Sequence, residues 1–231
     1  MGLYYWGFDW TYLLILAAFL VSLVVQVNMN GTFQKYSRVR SMSGMTGAEA
    51  AERILRSAGI FDVQVVHIQG NLNDHYDPRT KVIKLSDPIY GSSSLAAVGV
   101  AAHECGHAMQ HATEYTPLSV RSALVPVANL GSQLSWPLFL IGLIFSVRPL
   151  LTAGIFLFCG ALLFQLITLP VEFNASRRAL RTLEQTGIMG QQEISGTRKV
   201  LGAAAMTYVA AVVASLLQLL RLILLSRRRN D

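Results

Sequence analysis

Charge is scarce in this sequence, and acidic charge is scarcest: 13 Asp and Glu stand against 19 Lys and Arg in 231 residues, with only 14% of positions charged. A disordered chain needs low hydrophobicity and high net charge, so that class is excluded. Cysteine is almost absent as well. Cys105 and Cys159 are too few for a disulfide-stapled scaffold and read as free thiols. What is abundant is apolar surface: 52% hydrophobic residues and a mean hydropathy of +0.43 describe a membrane protein rather than a globular domain. The net charge of +6 does not point to nucleic acid, because the basic residues flank apolar segments instead of alternating with aromatics on a polar face. Arg227, Arg228 and Arg229 close a hydrophobic stretch as an interfacial anchor would.

Four stretches approach the roughly 20 apolar residues that a bilayer-spanning helix needs. The first, 10–27, follows an aromatic belt of Tyr4, Tyr5, Trp6 and Trp10, and without a cationic leader or a small-residue cleavage site it reads as a retained anchor. The second, 123–147, carries Pro126, Asn129, Ser132 and Gln133 in its front half, which suggests a kink. Arg148 and Pro149 leave room only for a tight hairpin into the third, 150–171. The fourth, 200–225, contains Arg221, which can snorkel to the headgroups. The expected organisation is an N-terminal transmembrane anchor (1–30), a polar domain (31–122), a transmembrane hairpin (123–171), a further helix (172–199), and a C-terminal transmembrane helix with a basic tail (200–231). The fold class is mainly α, with about four transmembrane helices and a small α+β domain.

In the polar domain, Thr46 and Glu49 form a T-x-x-E capping box opening a helix over 48–58, and Gly59 stops it. Residues 61–68 and 81–85 alternate with β-branched side chains across the turn-rich 71–78, which predicts a strand hairpin. Residues 95–112 are Ala-rich, proline-free and preceded by Ser92, Ser93 and Ser94 as N-caps, so they form a helix. Of the 19 basic residues, 14 fall in 28–122 and 172–199; the positive-inside rule then places the polar domain in the cytosol, although the terminal arginines argue the other way.

On that helix stands His103-Glu104-Cys105-Gly106-His107, an H-E-x-x-H pattern. Residues four apart share a helical face, so both imidazoles can reach one zinc ion while Glu104 addresses the water in its open position. With five His and seven Glu in the chain, a chance occurrence has a probability of roughly 0.3%. A catalytic zinc needs a third protein ligand. The metzincin pattern would require Gly and His where this chain has Gln110 and Thr113, and His111, on the same regular helix, is better read as lying beside the site or on the surface. A carboxylate from another helix remains. Glu172 is the best placed, directly after the apolar Leu169-Pro170-Val171, where an ion would offset the cost of its charge and Pro170 can begin a new short helix. The lesser alternative is a helix-terminal carboxylate paired with Arg177 or simply solvated, and Glu114, Glu184 and Glu193 are weaker rivals in more ordinary surroundings.

Asp74 to Lys81, Ala101 to Thr113 around the paired histidines, Leu169-Pro170-Val171-Glu172-Phe173, Ala175 to Leu180 and Ala204 to Ala211 together resemble, in order, the YugP-like family of bacterial membrane zinc metallopeptidases. The resemblance spans most of the chain. It implies a gluzincin-like site, zincin-like in its domain, with His103, His107 and Glu172 on one zinc and Glu104 as general base. Related membrane gluzincins carry an acidic residue four positions after the ligand glutamate; here Ser176 stands there, with Asn174 as a nearby polar substitute.

The expected protein is thus an integral zinc endopeptidase of the bacterial inner membrane, its site on the cytosolic side, cutting membrane-associated or misfolded proteins. The alternative is a catalytically silent metal-binding scaffold for other membrane proteins; a transporter fits less well, since charges are nearly absent from the spans. The 81–85 strand is either an exposed edge on which a peptide adds or a buried structural strand. His75, Tyr76 and Tyr208 are further candidate donors, and Arg177 and Arg178 either stabilise an oxyanion or face lipid phosphates.

Overall fold

The structure is a computed structural model and describes residues 9–228. Tyr4, Tyr5, Trp6 and Arg229 lie outside the described residues, as does the Arg228 side chain. The elements are α1 (Tyr12–Ser37), α2 (Gly47–Ser57), β1 (Gln64–His67), β2 (His75–Asp77), β3 (Val82–Leu85), α3 (Asp87–Tyr90), α4 (Leu95–Ala112), α5 (Thr116–Phe145), α6 (Arg148–Gln185) and α7 (Gln191–Arg228). Helices α1, α5, α6 and α7 are long and apolar enough to cross a membrane.

The chain forms two compact units. One comprises Ala123–Leu166 with the described parts of Met1–Val25 and Tyr208–Asp231; the other comprises Gln26–Ser122 and Ile167–Thr207. In the first, α5 and α6 meet at glycines: a Cβ on Gly131, Gly142 or Gly154 would lie 2.9 Å or less from backbone atoms of the facing helix. Lipid tails are as apolar as leucine, so close backbone approach is what holds such helices together. The α5–α6 connection is the expected tight turn, with Ser146 at φ +58°. Pro126 and Pro137 both lie within α5, which runs through them.

The second unit surrounds α4. Its small residues, Ala97, Ala101, Ala102, Cys105 and Ala108, let α2 approach through Ala50, Ala51, Ile54 and Leu55, with Ile83 and Leu85 of β3 and Ala179 and Leu183 of α6 closing the core. The Thr46–Glu49 capping box forms as expected, and of the three candidate serines it is Ser94 whose side chain caps α4, accepting from the Ala97 N–H.

Three expectations are corrected here. Segments 61–68 and 81–85 do pair, but β1 and β3 run parallel, so they are no hairpin. The antiparallel partner of β3 is β2, a three-residue strand hidden in the turn-rich segment, and the sheet order is β1-β3-β2. The 81–85 strand is therefore central, with Ile83 and Leu85 fully buried, and β1 and β2 are the edge strands. Third, Pro170 starts no new helix. In apolar surroundings a backbone can satisfy its polar groups only within itself, so α6 absorbs the loss of one N–H and continues. At a rise of 1.5 Å per residue its 38 residues extend about 57 Å, nearly twice the hydrocarbon thickness, so only part of it can span.

Candidate metal centre

Helix periodicity places His103 and His107 one turn apart on α4, their rings 4.8 Å apart and edge-to-face. Glu172 comes from α6, 3% exposed. Its Oε2 lies 3.3 Å from His103 Nε2 and 3.7 Å from His107 Nε2. The three donor atoms lie within 4.8 Å of one another. Two donors on a tetrahedral zinc, each at about 2.0–2.1 Å, stand about 3.4 Å apart, so these side chains fit that ion in both donor type and spacing.

Glycine at position 106 is what permits this convergence. A Cβ there would lie 2.4 Å from the Ala175 carbonyl oxygen, so α4 and α6 touch backbone to backbone between the paired histidines and the turn carrying Glu172 and Ser176.

Each imidazole is held from behind. His103 Nδ1 is 3.0 Å from Ser176 Oγ, so the hydroxyl makes this contact itself. His107 Nδ1 is 3.0 Å from Gln110 Oε1. The orientation of Gln110 is fixed by its other end, where Nε2 donates to the Val171 carbonyl at 2.8 Å and to Asn174 Oδ1 at 3.0 Å. Its Oε1 must then accept from His107 Nδ1–H, which leaves the Nε2 lone pair facing Glu172. Asn174 Oδ1 also accepts from Arg178 Nε at 2.8 Å. Arg177 and Arg178 thus separate: Arg178 ends this chain of hydrogen bonds, whereas Arg177 lines a groove elsewhere on α6.

The cation beside Glu172 is Arg121, on α5, its Nη1 3.5 Å from Oε1; the alternative pairing with Arg177 does not form. Burial pushes the His107 imidazole down, but hydrogen bonding to Glu172 and the nearby Glu104 charge outweigh it, so its pKa lies above the ordinary value. Glu104 is buried, and its Oε2 accepts the Tyr76 backbone N–H at 2.9 Å. Since Tyr76 belongs to the edge strand β2, one backbone amide joins Glu104 to that strand.

The remaining candidates are accounted for. His111 is exposed and 2.8 Å from the Tyr76 hydroxyl, apart from the donor cluster. Glu193 caps α7, accepting the Gly190 and Met42 N–H groups, Glu184 accepts from Gln191, and Glu114 follows α4 at φ +48°. His75 Nδ1 meets the Asn73 carbonyl, and Tyr208 belongs to the other unit. Gln110, Arg121 and the Tyr76 amide were missed by sequence reasoning. The spacing of Gln110, three residues past His107 on one helical face, was the available signal for one of them.

Comparison with known proteins points to a zinc-dependent family. Residues 11–227 match the family described as "Putative neutral zinc metallopeptidase". Over 218 residues, 94% of this chain and 97% of the relative, the sequence is 46% identical to the "Putative membrane protease YugP" of Bacillus subtilis (strain 168). No solved structure matches. With nearly its whole length covered by that family, and two imidazoles and a carboxylate converging where a zinc ion fits, the chain belongs to this family of zinc metallopeptidases.

Proposed function

We propose that the protein is an integral membrane endopeptidase of the gluzincin type, with a zincin-like domain in which His103, His107 and Glu172 hold one zinc and Glu104 is the general base. The observation carrying this reading is the position of Glu172 Oε2, within 3.7 Å of both Nε2 atoms from a helix far away in sequence. Three protein donors are the number used by catalytic zinc sites, whereas a structural site takes four, so the donor count favours hydrolysis over a silent scaffold.

A zinc ion held by these residues would act as a Lewis acid, polarising a carbonyl and lowering the pKa of water toward about 7. The chain's own residues do the rest. Glu104, anchored through Oε2 by the Tyr76 amide, has Oε1 without a hydrogen-bond partner among the described residues and takes the proton from the attacking water. It then delivers that proton to the departing amine. Ser176 and Gln110 fix the imidazoles, and Arg121 engages the Glu172 oxygen that faces away from the histidines. β3 is central, so an extended peptide can add only to an edge strand, and of the two edges β2 is the one joined to Glu104. Substrates are membrane-associated or misfolded proteins, and the site lies at the cytosolic face of the bacterial inner membrane.

Glu104→Gln is expected to retain zinc while cleavage of an unfolded protein substrate falls by about 10²–10⁴-fold; undiminished cleavage would remove Glu104 from the mechanism. Glu172→Ala is expected to lower zinc content, and full occupancy in that variant would move the third ligand elsewhere.

A further inference from the structure

Beside the candidate metal centre, on an adjoining face of α6, lies a groove of about 490 Å³ between α6 and the start of α7. Arg177, Arg181 and Arg198 line it, and Phe173, Leu201 and Ala205 supply apolar wall. None of the three guanidinium groups has a carboxylate partner among the described residues, and the acid lining the groove, Glu184, is engaged by Gln191. All three arginines are exposed, and at Gly202 an added Cβ would meet nothing within 4 Å, so the groove is open.

Its level along the helices identifies its occupant. The apolar run of α6 ends at Val171, and Arg177 lies six residues, about 9 Å of helix, beyond it. On α7, Arg198 precedes by two residues the apolar run that begins at Val200 and includes Leu201 and Ala205. The lining thus passes from hydrocarbon-like to triply cationic over the depth of a headgroup layer. A free anion would use the arginines and leave the apolar wall wet. A phospholipid uses both, with its phosphate on the guanidinium groups, which match phosphate geometry, and its glycerol and acyl portion against Phe173, Leu201 and Ala205.

We propose that this groove binds one anionic phospholipid through its headgroup. The site adjoins the proposed metal centre through a single side chain: Ser176, which lines the groove, is the residue whose Oγ contacts His103 Nδ1.

The test uses the full chain in nanodiscs of phosphatidylcholine containing a minor share of phosphatidylglycerol, with native mass spectrometry counting the lipids retained on release. The wild-type protein is expected to retain one phosphatidylglycerol, with about tenfold or greater preference over phosphatidylcholine. The triple variant Arg177→Gln, Arg181→Gln, Arg198→Gln is expected to lose that preference while keeping its zinc and its unfolding temperature. If that variant fails to fold, Arg198→Glu alone, which places a repelling charge at the headgroup, is expected to reduce retention. A control with as many charges removed outside the groove, Arg38→Gln, Arg79→Gln, Lys199→Gln, is expected to retain lipid as the wild type does. Equal loss in the control means diffuse surface attraction and overturns the proposal. So does wild-type protein without preference, a groove variant with undiminished retention, or displacement of the lipid by millimolar inorganic phosphate, which would make the occupant a free anion.

Discussion

Gln110 is the buried side chain that supports the proposed metal centre without belonging to its donor set. It is fully buried, and its three polar contacts, to His107, the Val171 carbonyl and Asn174, join α4 to the turn of α6 that carries Glu172. Removing the partner of a ligand imidazole costs about 10–100-fold in metal affinity. Gln110→Ala is therefore expected to weaken zinc binding by that factor in a chelator competition, with cleavage recovering when zinc is supplied in excess; an affinity within twofold of wild type contradicts the role. His107 adds a pH dependence of definite sign. Its pKa is raised in the zinc-free fold, so protonation stabilises that fold below the unfolded value of about 6.5, and this contribution is lost as pH rises through the folded value. Zinc needs the neutral imidazole, so the opposite holds for the loaded protein. The rise in unfolding temperature on adding zinc is expected to be largest in mildly alkaline buffer and to shrink on acidification; a rise that is flat or grows toward acid counts against this site.

At the scale of elements, the α4–α6 contact is the decisive one, and Gly106 sets its distance. Gly106→Ala places a methyl group where the Ala175 carbonyl stands 2.4 Å away, so the helices must separate. Overpacking of this kind costs about 1–3 kcal/mol, and because Ala175 is followed by Ser176 and lies three residues past Glu172, separation also spoils the donor spacing. The expected result is a lower unfolding temperature together with substoichiometric zinc, whereas Gly202→Ala, which meets open space, is expected to change neither; normal zinc content in Gly106→Ala would refute the contact's role. The same contact explains what the sequence could and could not reveal. Helix α4, its Ser94 cap and the Thr46–Glu49 box were readable because their signals are local. Strand β2 was not, since three residues within Asn71 to Pro78 become a strand only by pairing with β3. The continuation of α6 through Pro170 was hidden because proline reads as a helix start until its apolar surroundings are considered. No local signal marks Arg121, which gains its partner only where α5 brings it beside Glu172.

For the whole molecule, the charge distribution predicts sidedness independently of the site chemistry. Of 19 basic residues, 14 fall in 28–122 and 172–199, segments that fall almost wholly within the polar compact unit. Moving that many Lys and Arg across an energised membrane is disfavoured, so this unit is expected to stay in the cytosol. The chain is suited to a thiol-labelling test. Burial, reinforced by the neighbouring Glu104 charge, pushes the Cys105 thiol well up, so it stays protonated and silent, and only Cys159 needs replacement by serine. Asn71 is exposed in the loop between β1 and β2, so Asn71→Cys offers a reporter that perturbs no packed residue. A membrane-impermeant maleimide is expected to leave this cysteine unlabelled in intact bacterial cells whose outer barrier has been opened, and to label it once the inner membrane is permeabilised. Labelling before that step would place the polar unit outside, make the arginines at the C-terminus the dominant topogenic charges, and assign the enzyme to extracytoplasmic rather than cytosolic substrates.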